Sequence, residues 1–224
     1  MSNREALLQW FGRGHSGVLS LTGVLESPTP DCETYLVYPL LENGSILHHL
    51  NAFPDTDRRA PIKDVASALK YLHDIGIIYG DLRGCNILIK SDGRACISNF
   101  SSAHLIDEDA LAWPHALPVW SLPWQAPELL QASVWPFTTK ATDVHAFGGL
   151  LYEVYTSKYP LWEVPGVPRL IAEVCKGRRL LRPFDTDETF GRFGLTDEMW
   201  GIMEMCWRVD PQHRPTAGYL FDTV

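Results

Sequence analysis

The sequence predicts an α+β fold, with a small β-containing N-terminal portion ahead of a larger, mostly helical body. Three patterns carry that expectation. Two β-branched, apolar runs lie early, at 17–25 (GVLSLTGVL) and 33–39 (ETYLVYP), with the Pro-rich turn ESPTPDC between them. Ile62, Val65, Ala66, Leu69 and Leu72 recur at helical spacing within 61–74 and form one stripe to bury. The segment 146–155 (AFGGLLYEVY) is apolar nearly all round, as a core helix should be.

Element by element, a helix is expected over 3–11, with Ser2 or Asn3 as its cap, followed by the two strands. Glu42-Asn43-Gly44-Ser45 breaks the chain before a short helix at 46–50. In the 61–74 helix Pro61 suits the first position, and Gly76 suits the left-handed residue past the end. Strands at 86–89 and 94–97 are joined by Lys90-Ser91-Asp92-Gly93, an Asp-Gly turn signal. The stretch 98–140 has little periodicity and is punctuated by Pro114, Pro118, Pro123 and Pro127, so a long functional or mobile loop is expected. Helices near 167–176, 196–207 and 215–223 complete the body.

Composition narrows the function classes. Lys+Arg 19 against Asp+Glu 27 leaves a net charge of −8, which argues against a nucleic-acid partner. No stretch approaches the roughly 20 apolar residues of a membrane helix. The scattered cysteines, Cys32, Cys85, Cys96, Cys175 and Cys206, form no C-x-x-C pair. A reduced, cytoplasmic protein without structural zinc is the expectation.

The chemistry is concentrated in Tyr79-Gly80-Asp81-Leu82-Arg83-Gly84-Cys85-Asn86. A loop acid, a cation two residues later and an Asn five residues later can converge on one point. The carboxylate can take a hydroxyl proton, the cation can balance phosphate charge and the amide oxygen can ligate a hard metal ion. Alternatively, Asp81 and Asn86 only hydrogen-bond backbone within a turn.

This segment resembles the catalytic loop of the eukaryotic protein kinases, H-R-D-x-x-x-x-N. Asn99-Phe100-Ser101 stands where that family has D-F-G, and Ala126-Pro127-Glu128 matches A-P-E. Asp143-Val144-His145-Ala146-Phe147-Gly148 resembles D-V-W-S-F-G, and 206–215 (CWRVDPQHRP) resembles C-W-x-x-D-P-x-x-R-P of the tyrosine-kinase and tyrosine-kinase-like groups. The resemblance implies a protein kinase-like fold: a residual N-lobe over 1–38, a hinge over 39–44 and a helical C-lobe over 45–224. It implies Asp81 as catalytic base, Arg83 as phosphate-neutralising cation and Asn86 as a ligand of the second magnesium. Asn99 would take the other metal-ligand position, while Tyr38, Pro39 and Leu41 of the hinge and Glu5 of an αC-like helix would serve ATP. Glu128 and Arg214 match a buried ion pair anchoring the activation segment, and Asp143 would brace the catalytic loop. ATP with Mg2+ is the implied cofactor pair, and signalling proteins or protein substrates are the implied partners.

Four departures bear on activity. Only four residues precede Glu5, so the Gly-rich loop and the V-A-I-K lysine are expected to be missing; no lysine occurs before Lys63. Asn99 replaces an aspartate, Ser101 a glycine, and Tyr79-Gly80 the His-Arg pair. Phosphoryl transfer depends on positioning and charge neutralisation, so the expectation is a pseudokinase acting as an interaction module. The alternatives are a divergent kinase acting on Ser, Thr or Tyr, and a fragment of a longer kinase that does not fold alone. Cys85 and Cys96 flank the nucleotide site and read as inert structural thiols or as oxidation-sensitive ones.

Overall fold

A computed structural model describes residues 14–26, 34–106, 119–131, 137–178, 180–184 and 188–224. The helix expected at 3–11, and Glu5 with it, lies outside these residues.

Strands β1 (Gly23–Glu26) and β2 (Thr34–Val37) form an antiparallel hairpin in which Gly23 faces Val37. The first apolar run is thus split rather than a single strand over 17–25. Its start lies along another strand, where Ile97 N donates to Gly17 O (2.8 Å) and Leu19 N donates to Ile97 O (2.8 Å). A strand takes its partner from available backbone groups as well as from side-chain pattern, and Ile97 supplies both here.

Helix α1 (Ile46–Ala52) is capped by Ser45, whose Oγ accepts from His48 N. Helix α2 (Arg59–Asp74) starts two residues before Pro61, with Asp57 Oδ1 accepting from Arg59 N at 2.9 Å. Proline is tolerated at that third position because no first-turn N–H has an intrahelical acceptor. Gly76, at φ +79°, follows the helix end.

Strand β3 (Ile77–Ile78) pairs with β6 (His104–Leu105), and β4 (Ile87–Ile89) pairs with β5 (Ala95–Ile97), both antiparallel. Asn86 belongs to a 3-10 turn, Gly84–Asn86, so β4 begins one residue later than the apolar run implies. The expected loop over 98–140 contains β6, a 3-10 stretch at Val119–Trp124 and helix α3 (Pro127–Gln131). Prolines there open or punctuate short helical turns, a use that periodicity over a longer window cannot detect.

Helices α4 (Lys140–Thr156), α5 (Val167–Cys175), α6 (Glu188–Gly191), α7 (Asp197–Cys206) and α8 (Ala217–Thr223) complete the body. Helix α4 packs against α7, α1 and the 3-10 stretch, which is why Val144, Phe147, Leu150, Leu151 and Val154 are all buried. A Cβ on Gly148 would lie 2.6 Å from Trp207 Nε1, and one on Gly149 would lie 2.8 Å from Trp124 Cδ1. Both glycines let large rings close onto the helix. Helix α2 packs on α8 and on β5, where both oxygens of buried Asp64 accept from Arg94 Nε at 2.8 Å. The strand pair after the catalytic-type loop is thereby fixed to the core. Among the described residues no helix is long and apolar enough to cross a membrane.

Candidate active site

The loop between β3 and β4 hangs from two acids of α4. Asp143, 1% exposed, accepts from Tyr79 N through Oδ2 (2.9 Å) and from Gly80 N through Oδ1 (2.8 Å). The ring nitrogen Nε2 of buried His73 lies 2.9 Å from the same Oδ2. Further along the helix, Glu153 Oε2 accepts from Gly84 N and from Trp124 Nε1, both at 2.8 Å. Burial pushes the Glu153 carboxyl up to about 7, while the Gly84 and Trp124 donors and the Arg83 charge pull the other way. A carboxylate with little water around it thus joins the loop to the segment preceding α3.

Asp81 is 6% exposed and is held from both sides. Arg83 Nε donates to its two oxygens at 3.0 and 3.2 Å, and Asn86 Nδ2 donates to its Oδ2 and its backbone O, each at 2.8 Å. Burial raises the Asp81 carboxyl, against the lowering influence of Arg83 and Asn86. Arg83 also sits 6.0 Å from the Trp124 ring. Asp81, Arg83 and Asn86 therefore meet at one point, with the Arg83 Nε directed at the acid itself.

Asn99 completes the cluster. Because Asn86 Nδ2 faces Asp81, its Oδ1 faces outward, and there it accepts from Asn99 Nδ2 at 3.2 Å. The Asn99 Oδ1 in turn accepts from Ser101 Oγ at 2.8 Å. Both amide oxygens available for a cation are thus engaged by donors of the chain. Asn99 has φ +54°, a left-handed conformation that Asn adopts more easily than most residues.

Tyr79 and Gly80 have roles of their own. The fully buried Tyr79 donates its hydroxyl to Ser98 O (2.6 Å), and its ring meets Phe100 edge-on at 5.4 Å. It ties the loop to the 98–100 segment. Gly80 has φ +83°, and a Cβ there would lie 2.7 Å from Ser102 O. No side chain of any length fits at that backbone position without movement.

Glu128 and Arg214 form a two-pronged pair, Nη1 to Oε1 at 2.6 Å and Nη2 to Oε2 at 2.8 Å. Arg214 also donates to Ala141 O and Arg208 O, tying α3 to α4 and to the turn before α8. Tyr38 and Leu41 are half-buried and Pro39 is exposed. Leu41 O accepts from Gly44 N, Gly44 O accepts from Ile89 N, and Asn43 Nδ2 donates to Lys90 O. The 41–44 turn is thereby docked on β4, while no described hydrogen bond joins Pro39 or Leu41 to the Asp81 cluster.

The family described as protein tyrosine and serine/threonine kinase matches residues 5–224 of this sequence. The chain belongs to that family. It is 26% identical over 215 residues to a probable serine/threonine-protein kinase of Dictyostelium discoideum, covering 94% of this chain and 12% of that protein. It is 30% identical over 166 residues to a probable LIM domain-containing serine/threonine-protein kinase of the same organism, covering 72% and 22%. To a tyrosine-protein kinase of Girardia tigrina it is 27% identical over 218 residues, covering 90% and 40%. The chain thus spans less than half the length of these kinases.

Kinases of this family use ATP and Mg2+, and the chemistry of this donor set answers whether magnesium fits here. It fits poorly: Asn99 puts a neutral amide where the family has an aspartate, and the oxygens of Asn86 and Asn99 each already accept one hydrogen bond. Magnesium is held through carboxylates and substrate phosphates. Among the described residues no cluster of His, Cys, Asp or Glu offers another metal site.

Sequence reasoning missed Glu153, His73 and the linking role of Tyr79. For Glu153 a signal existed, since an acid inside an otherwise apolar helix requires buried donors. It also grouped Cys85 with Cys96, but Cys85 is exposed whereas Cys96 is buried with its thiol pushed up to about 11. Position along the chain does not reveal which side of a turn faces solvent.

Proposed function

We propose that this kinase-family chain is a pseudokinase, a folded signalling module that binds partner proteins and has weak or no ATP binding. The observation that carries this reading is the Asn86–Asn99 amide pair at 3.2 Å. Asn99 Nδ2 is the donor to the oxygen that a cation would otherwise use. Two further features support it. The charge of Arg83 is shared with Asp81 through its Nε, and Gly80 offers no cation to dock a phosphorylated activation loop. In this reading Tyr38, Pro39 and Leu41 line a vestigial nucleotide cleft, and 39–44 is the hinge between a small N-lobe over 1–38 and the helical lobe over 45–224. Glu128, Arg214 and Asp143 keep structural roles. The setting is cytoplasmic, with other signalling proteins as partners.

Thermal unfolding with ATP, with and without Mg2+, tests the proposal. The expected result is no Mg2+-dependent rise in Tm; a rise corresponding to micromolar affinity overturns it. A second reading, transfer of phosphate to Ser, Thr or Tyr hydroxyls with Asp81 as base, is favoured by one observation. The Asp81 carboxyl is buried and raised, as a general base should be. It requires phosphate incorporation that disappears in Asp81→Ala.

A further inference from the structure

Arg58, immediately before α2, is 2% exposed, yet among the described residues no carboxylate pairs with it. Its Nη1 donates to Val154 O and its Nη2 to Pro54 O (3.3 Å), while its Nε has no hydrogen-bond partner. One face of the guanidinium lies 3.7 Å from the centre of the Phe193 ring. A guanidinium has five N–H donors, so two carbonyl contacts leave most of its capacity unused. Val154 is in the last turn of α4, whose negative end carries about half a unit charge. That end offsets Arg58 only in part. The positive end of α2 begins at the next residue, with no acid in its first turn.

Arg58 lines a cavity of about 280 Å³ at the base of the helical body, together with Tyr155, Phe193, Thr196, Met199 and Ile202. Tyr155 is 2% exposed, and its hydroxyl makes no hydrogen bond among the described residues. Burial and then the charge of Asp57 raise that hydroxyl, with the charges of Arg59 and Arg58 acting in the opposite direction. Of the acids at the rim, Asp55 pairs with Arg192, while Asp57 accepts from Arg59 N and its charge still acts on Tyr155. Glu198 also lines the cavity, and it sets a limit on how much negative charge a ligand can bring.

We propose that this cavity is a binding site for a small oxyanion, a carboxylate or phosphate group, held by Arg58 and the Tyr155 hydroxyl. The site lies away from the Asp81 cluster and is independent of whether that cluster transfers phosphate. A cavity of this volume suits a small molecule rather than a protein segment.

The test is thermal unfolding of the full chain in rising sodium phosphate, and separately in sodium acetate, each against sodium chloride at matched ionic strength. The expected result is a saturating rise in Tm with at least one of the two anions. Tyr155→Phe keeps the ring, and it should weaken half-saturation by about tenfold, the cost of one hydrogen bond to a charged group. The relative response to phosphate and acetate identifies the anion class. Unchanged Tm with both anions relative to chloride, or a full response retained in Tyr155→Phe, overturns the proposal.

Discussion

Replacing Asn99 by Asp sets the amide-pair argument its hardest test, because it restores the acid that kinases of this family carry. In the wild type Asn99 Nδ2 donates to Asn86 Oδ1 at 3.2 Å, and Ser101 Oγ donates to Asn99 Oδ1 at 2.8 Å. Aspartate keeps the second contact and turns the first into two oxygens facing each other. The lost hydrogen bond is worth about 1 kcal/mol. Repulsion between the oxygens adds to it, and the exposure of residue 99 keeps that addition small. A total of about 1–2 kcal/mol corresponds to a Tm lower by roughly 3–6 °C in a domain of this size. The left-handed backbone at φ +54° does not complicate the comparison, since Asp tolerates it nearly as well as Asn. Magnesium should then reverse the loss in Asn99→Asp, because a carboxylate and the freed Asn86 oxygen now face the same point. Differential scanning calorimetry in EDTA and in millimolar MgCl2 reads both effects. The reasoning is refuted if Mg2+ stabilises the wild type as much as the variant, or if the variant in EDTA is as stable as the wild type.

Other consequences follow from the same contacts. The Glu153 carboxyl is raised from 4.5 to about 7, so its contribution to stability is fully present below about pH 4.5 and lost as pH rises through 7. Glu153→Gln removes this dependence while keeping an acceptor for Gly84 N and Trp124 Nε1. Urea titrations at pH 5 and pH 8 should show the variant gaining roughly 2–3 kcal/mol on the wild type over that interval. Equal pH dependence in both proteins contradicts this. Arg214→Met deprives Glu128 of its partner and leaves Ala141 O and Arg208 O without their donor; because Glu128 is partly exposed, chemical denaturation should show a loss of about 2–3 kcal/mol, below that of a fully buried pair. Gly80→Ala, at φ +83° and 2.7 Å from Ser102 O, should cost at least about 1–2 kcal/mol, and a variant of wild-type stability would show that the loop is not held as described.

Much of this protein is legible without coordinates. The stripe from Ile62 to Leu72 and the apolar run around Phe147 are local periodicities, and each marks a helix whose buried residues are the expected ones. The spacing of Asp81, Asn86, Asn99 and Glu128 is a property of the chain, and it identified the kinase resemblance. Boundaries were read less well. The strand expected over 17–25 divides because Ile97, remote in sequence, takes its first half. Pro61 is not the first residue of α2, which begins two residues earlier at Arg59, where Asp57 Oδ1 accepts from the backbone N–H.

Residue identity and spacing therefore determined the fold class, the family and the neutral side chain at position 99. Tertiary structure alone decided where that side chain turns: Asn86 commits its N–H groups to Asp81, and its remaining oxygen requires a donor that only a folded neighbour can bring. The same holds for Glu153 beneath Gly84 and for Arg58 beneath Val154. Hydrogen-bond demand is set by burial, and burial is a sum over contacts between segments far apart in the chain.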